Sequence, residues 1–377
     1  MMDRIRRILS LAWKEFIHLR KDWWLPAFML LGGATELLLV GWATSRPITN
    51  LPLMVLDQDR SVESRQLITE LENTGTFVLE SLAPDFGTIE QALDRGDIIA
   101  ALVIPPDYSE EMLAADGRPQ LAVILNGAES TPATSALRAI EGLAGGMNEE
   151  IVVRRLGIDP SLFEGFIPRI RVWFNEALSE ALYTTPAELA LMLEFTVLLF
   201  AALSFSRERE LGTLEQLLVM PFSSIDLIAG KSLPVVLIGF FDFALMLGMV
   251  HFAFSVPVRG SLTLLLVLAL GYLLVELSKG LVISVVARTQ HQAFLLVMMV
   301  GMADFMFTGY AAPVESMPPV MQALANLIPA HHWLAILRGI LLKGSGLDVL
   351  WPHLLWLLGL GLVIGTFSLR YVRRALD

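Results

Sequence analysis

The groups with the most chemical potential in this chain are charged side chains that fall inside apolar runs: Glu36, Glu194, Asp242, Glu276, Lys279 and Asp304. A charge at the centre of a bilayer costs about 2.5 to 3.5 kcal/mol on insertion scales, so such residues must face protein or water. Glu276 and Lys279 stand three apart and can neutralise each other on one helix face. Glu36, Glu194, Asp242 and Asp304 have no partner on their own helices and are the candidate lining of a translocation path; pairing across helices and protonation are the alternatives. Gly230, Lys231 and Ser232 match the end of a phosphate-binding loop, but Ile225 replaces its first glycine and no strand precedes it. Catalysis is therefore not expected from this chain. Asp57 and Asp59 read as turn formers at a strand end, and the adjacent His331 and His332 diverge by about 100° on a helix, so no metal site is expected either.

The elements that position these groups follow from composition. Of 377 residues 55% are hydrophobic and 17% charged, with mean hydropathy +0.62, too apolar for a surface that meets only water. Six segments approach the 20 apolar residues a spanning helix needs: Pro26 to Ala43, Pro186 to Phe205, Leu233 to Val256, Ser261 to Val286, Gln292 to Ala311 and Val349 to Tyr371. The expected fold is an α-helical integral membrane protein with six transmembrane helices and an inserted extracytoplasmic α/β domain. Its expected divisions are an amphipathic cytoplasmic helix (1–25), the first span (26–44), the α/β domain (45–183), the second span (184–205), a cytoplasmic loop (206–230), spans three to five (231–312), re-entrant helices outside (313–347), and the last span with a cytoplasmic tail (348–377). Small residues Ala43, Thr44 and Ser45 follow the first span, but its long basic preamble and Glu36 favour an uncleaved anchor. Trp13, Trp23, Trp24, Trp42, Trp173, Trp333, Trp351 and Trp356 mostly flank the spans, as interfacial anchors do.

Charge sets the expected direction. Lys and Arg gather before the first span, at Arg207, Arg209 and Lys231, at Arg288, and at Arg370, Arg373 and Arg374, which places both termini in the cytoplasm. From Arg46 to Tyr183, 22 Asp and Glu oppose 10 Lys and Arg, a net charge of −12 in the region that faces outward. Short aliphatic runs there (Leu53 to Leu56, Phe77 to Leu79, Ile98 to Ile104, Leu121 to Leu125, Ile167 to Phe174) alternate with helical stretches (Val62 to Glu72, Thr88 to Leu93, Tyr108 to Ala114, Ala133 to Leu156). No Cys is present, so neither a disulfide framework nor a thiolate site is expected.

Between the second and third spans runs Arg207, Glu208, Arg209, Glu210, Leu211, Gly212, Thr213, Leu214, Glu215, Gln216, Leu217, ending before Pro221. Leu211, Leu214, Leu217 and Leu218 share one face of an expected helix, and Ser223 with Asp226 has capping-box spacing for the next. This stretch resembles the signature loop of type-2 ABC transporter permeases. The likeness continues at Gly309, Pro313, Glu315, Met317 and Pro318, then at Pro329, Arg338, Gly339, Leu342, Lys343 and Gly344, and one span, an outer domain and five more spans is a layout of that family. The resemblance implies a non-catalytic permease subunit of an ATP-driven exporter in the bacterial inner membrane. It further implies coupling to cytoplasmic ABC ATPase subunits through Arg207 to Leu217, with ATP and Mg bound by the partner and no cofactor in this chain. A second permease (a copy or a related chain) and a periplasmic adaptor protein are the other implied partners, besides the lipid bilayer; nucleic acid is not.

Two other classes compete. A membrane sensor needs a cytoplasmic output domain, and the longest cytoplasmic pieces expected are about 25 residues, too short to fold alone. An ion-coupled secondary transporter predicts internal repeats among the spans, and none is visible. The sequence leaves the substrate open among drugs, lipids, ions and peptides.

Overall fold

The computed structural model describes all residues except 1, 45–47, 115–116, 157–172, 176–178, 221 and 377, and leaves undescribed the side chains of 2–3, 25, 130, 148–156, 218 and 376. Two compact units emerge, one formed by Met1–Arg46 with Arg171–Asp377 and the other by Pro47–Ile170.

The first unit is helical. An N-terminal helix α1 (Met2–Lys21) leads into α2 (Trp24–Thr44). In the second unit β1 (Leu51–Asp57), α3 (Val62–Asn73), β2 (Phe77–Leu82), α4 (Phe86–Arg95), β3 (Ala100–Ile104), α5 (Tyr108–Leu113), β4 (Ala122–Leu125) and α6 (Ser130–Leu156) follow in order. Its sheet has the strand order β2-β1-β3-β4, with β1 parallel to both neighbours and β4 antiparallel to β3. Side chains alternate across a strand, so Leu51, Leu53 and Val55 pack with Leu67 and Leu71 of α3 on one face, while Met54 and Leu56 pack with Ile89 and Ala92 of α4 on the other. Two-sided burial explains why β1 reads as a continuous apolar run. Asp57 accepts from the backbone of Asp59 and Arg60 and from Ser64 Oγ, and Asp59 accepts from Ser109 N and Oγ, so both acids stabilise turns and caps. The expected run Ile167 to Phe174 lies mostly outside the described residues, and Trp173 and Phe174 form no strand.

The first unit continues with α7 (Glu180–Glu210), α8 (Leu214–Val219), α9 (Ser224–Phe254), α10 (Leu262–Val286), α11 (Gln290–Phe307), α12 (Pro319–Ala325), α13 (Pro329–Arg338) and α14 (Leu347–Leu376). Helix α7 is the hub: most of it is buried, and α2, α9, α10, α11 and α13 all pack on it. Helices α7 and α10 approach so closely that a Cβ at Gly280 would sit 2.5 Å from Ala201 Cβ and 2.7 Å from Leu198 O. Among the described residues, five helices, α2, α7, α9, α10 and α14, are long and apolar enough to cross a membrane. The expected fifth span, Gln292 to Ala311, corresponds to the 18-residue α11, whose first turn holds Gln290, His291 and Gln292 and which stops at Phe307. It falls outside that set of five. Helices α12 and α13, the latter continued by a π-helical turn Gly339–Lys343, bend by 83° and give a sixth crossing only if counted as one broken span. Trp333 is fully buried and stacks on Tyr272 at 5.0 Å, so it is a core residue and not the interfacial anchor expected of it. The other seven Trp side chains are exposed.

Candidate functional site

The loop that carries the recognisable motif is built in two layers, one turned inward and one outward. Helix α7 does not run on through the motif: Gly212 takes φ +70°, its N–H bonds Arg209 O, and the Thr213 N–H bonds Glu208 O. These are the two bonds of a Schellman stop, where glycine tolerates the left-handed backbone. The single amphipathic helix expected over Leu211 to Leu218 is therefore cut, and α8 begins at Leu214. Leu217 is buried against Leu11, Leu227 and Phe222, and Leu214 packs on the main core. Leu211 stays exposed, so the leucines do not share one face; Leu218 lies outside the described side chains.

The inner layer is an ion-pair hub around Glu208, which is only 5% exposed. Its Oε1 meets Lys14 Nζ and Lys231 Nζ, each at 3.1 Å, and its Oε2 accepts from Thr213 Oγ1. Lys231 also binds Glu15 at 2.7 Å and donates to Ser204 O at 3.1 Å. Two lysines thus face two glutamates, the balance that buried charge requires. The hub joins α1, α7 and α9, and Arg207 to Asp22 (2.9 Å) and Arg4 to Asp226 (2.7 Å) extend it along α1. Asp226 and Ser223 form the expected capping box. Arg209 donates to Val285 O and Ala287 O, both at 2.8 Å, at the C-terminus of α10. Glu210 accepts from Gln290 N at 2.7 Å at the start of α11.

The phosphate-loop resemblance dissolves in this geometry. Gly230 lies inside α9, where a Cβ would meet Leu11 Cβ at 2.6 Å, and Lys231 belongs to the hub. Glycine is there because α1 crosses at that point.

The outer layer presents Glu210, Leu211, Gly212, Glu215, Gln216, Val219 and Met220, all exposed, with Val219 at 87%. A cavity of about 290 Å³ behind it is lined by Lys14, Glu208, Leu211, Leu217, Met220 and Lys231. Glu208, within the stretch expected to couple to a partner, points inward; Glu210 and Glu215 remain on the surface.

The apolar-embedded acids separate into three environments. Lys279 Nζ gathers Glu194 (3.1 Å), Glu276 (2.7 Å) and Asp304 (2.6 Å) from α7, α10 and α11. Glu194 and Asp304 are thereby pairing groups across helices, which was the alternative to lining a path. Asp242 is fully buried, and neither of its carboxylate oxygens has a well-formed hydrogen bond among the described residues. Glu36 alone of the four is exposed, on an open apolar groove of about 470 Å³ between α2, α7 and α11.

Several contacts here were missed by sequence reasoning. Glu188 accepts from Tyr310 Oη at 2.5 Å, although an acid one turn into an apolar run is a visible signal. Arg338 stacks over Tyr183 at 4.0 Å and donates to Tyr183 O at 3.0 Å and Gly309 O at 3.4 Å, tying α13 to α7. The hub partners Lys14, Glu15 and Lys231 come from segments about 200 residues apart, |i−j| 194 and 216.

Comparison with known proteins adds a second line of support. The family model described as ABC-2 family transporter protein matches residues 23–370. The chain is 27% identical over 368 residues to the "Probable multidrug ABC transporter permease YbhR" of Escherichia coli K12, covering 98% of each chain. It is 26% identical over 377 residues to the "Probable multidrug ABC transporter permease YbhS" of the same organism, covering 99% of this chain and 98% of that one. With its "Inner membrane transport permease YhhJ" the identity is 25% over 377 residues, covering 100% and 99%.

Proposed function

Because this chain belongs to the ABC-2 family of transporter proteins, we propose how it works as the membrane permease subunit of an ABC exporter: cytoplasmic ATPase subunits dock on the outer layer of the α7–α9 loop. The observation that carries this reading is the division of labour in the loop, where the motif's Glu208 and Arg209 are consumed by internal partners while an exposed apolar and acidic tip has none of the core to cover it. Docked there, an ATPase moves the tip, and the Glu208 hub passes that movement to α1, α7 and α9 as one body. ATP and Mg are held by the partner, and this chain supplies no catalytic group.

The rest of the arrangement follows from the same physics. Glu36 on an apolar groove is costly against lipid, so α2, α7 and α11 form the face that a second permease covers, and the enclosed groove is the path for an amphipathic cation. Both termini and the loop lie in the cytoplasm of a bacterial inner-membrane protein, with α11 as a span, α12 and α13 re-entrant, and the acidic α/β unit outside, where an adaptor protein meets it. Nothing in the chain favours a sensor or an ion-coupled carrier.

The test is co-purification with ATPase subunits from the host and measurement of ATP hydrolysis. A Leu211→Asp, Val219→Asp double variant leaves the hub intact and loses docking by roughly tenfold or more, the scale of two apolar anchors. Unchanged docking in that variant would overturn the assignment.

A further inference from the structure

Three of the chain's six histidines converge where sequence distance hides them. His331 and His332 are adjacent in α13, His353 lies in α14, and one nitrogen of each falls within 4.8 Å of the other two. Their hydrogen bonds fix which nitrogens are bare. A carbonyl oxygen only accepts, so the nitrogen facing it carries the proton. His332 Nε2–H donates to Asn326 O at 2.9 Å, which leaves Nδ1 with a free lone pair. His331 Nδ1–H donates to Thr308 O at 3.3 Å, which leaves Nε2 free. Such carbonyl bonds are how metal-ligating imidazoles are held in tautomer and orientation.

The third ring completes the set. His332 Nδ1 lies 3.1 Å from His353 Nδ1. Two nitrogens on a tetrahedral zinc at its usual bond length sit about 3.3 Å apart, so a small shift admits an ion between them. The His332 ring is further held by Trp356, stacked at 5.7 Å and 5°. His332 is buried while His331 and His353 are half-buried, so an ion has a way in and a rigid floor. The divergence of adjacent side chains on one helix, the reason to discount His331 and His332, is overcome because the imidazoles reach toward α14.

We propose that His331, His332 and His353 form a binding site for a divalent transition metal ion of the zinc class, with a fourth position open to water or an anionic group. Three neutral imidazoles leave the ion's double positive charge uncompensated, so the open position favours an anion. Binding moves the His353 proton from Nδ1 to Nε2, because both facing Nδ1 atoms must offer lone pairs. The ion would pin α13 to α14, fixing the bent pair against the final helix.

The experiment uses the full chain in detergent, purified on a tag without histidine, and Co²⁺ as the probe. Native protein takes up one Co²⁺ per chain with the intense visible absorption of a tetrahedral site, and Zn²⁺ displaces it. His353→Gln loses the band while eluting as native protein does. A complementary variant, with His18, His251 and His291 all changed to Gln, keeps both the band and the stoichiometry, and decides the matter if His353→Gln does not fold. Absence of the band from native protein, its persistence in His353→Gln, or its loss from the complementary variant overturns the site.

Discussion

At the scale of single residues, a charged loop motif turns out to be mostly internal scaffolding. Removing one member of a buried pair leaves the other uncompensated, at about 3 to 5 kcal/mol for an isolated pair. Lys231 keeps Glu15 when Glu208 is lost, so Glu208→Gln is expected to cost less, about 2 kcal/mol. Thermal unfolding in detergent checks this, and a double variant with Glu15→Gln should be markedly non-additive. The sequence displayed Glu208 openly but not its direction, because Lys14, Glu15 and Lys231 reach it only after α1 folds back on α9. The same holds for Lys279: its partner Glu276 was legible at i, i+3, whereas Glu194 and Asp304 arrive from other helices.

At the scale of elements, length and apolarity carried most of the information. Five spans and the alternating strands and helices of the α/β unit could be read directly, because burial on one stripe or two faces writes itself into periodicity. The break at Gly212 was missed although glycine after a charged helix end is a stop signal, because the leucine spacing continued past it. Helix contacts made through glycine are equally silent in periodicity. Gly280 and Gly271 share α10, but a Cβ at Gly280 would strike Ala201 and Leu198 while one at Gly271 meets nothing within 4 Å. Gly280→Ala is expected to destabilise by about 1 to 3 kcal/mol through overpacking. Gly271→Ala should be neutral or stabilising by up to about 1 kcal/mol through helix propensity. Comparing the two unfolding midpoints tests whether the α7–α10 contact is the tight seam of the helical unit.

At the scale of the whole molecule, sidedness and partners are open to chemical labelling. The chain has no cysteine, so single introduced thiols report cleanly. A membrane-impermeant maleimide should label Glu90→Cys in α4 from outside intact cells with a permeable outer envelope, and Glu215→Cys only after the inner membrane is opened. Met302→Cys, exposed on α11 beside the Glu36 groove, should cross-link to a second permease in native membranes. Leu362→Cys on the exposed face of α14 should not, if that face is turned to lipid as the proposed arrangement requires.

The most direct measurement is a photo-crosslinking residue placed at Val219, the most exposed apolar side chain among the described residues of the loop, in membranes that also contain the host's ABC ATPase subunits. Docking at the loop gives an adduct between this chain and an ATPase subunit, absent when the same residue is placed at Leu362. An adduct missing from Val219, or equally strong at Leu362, would contradict docking at the loop.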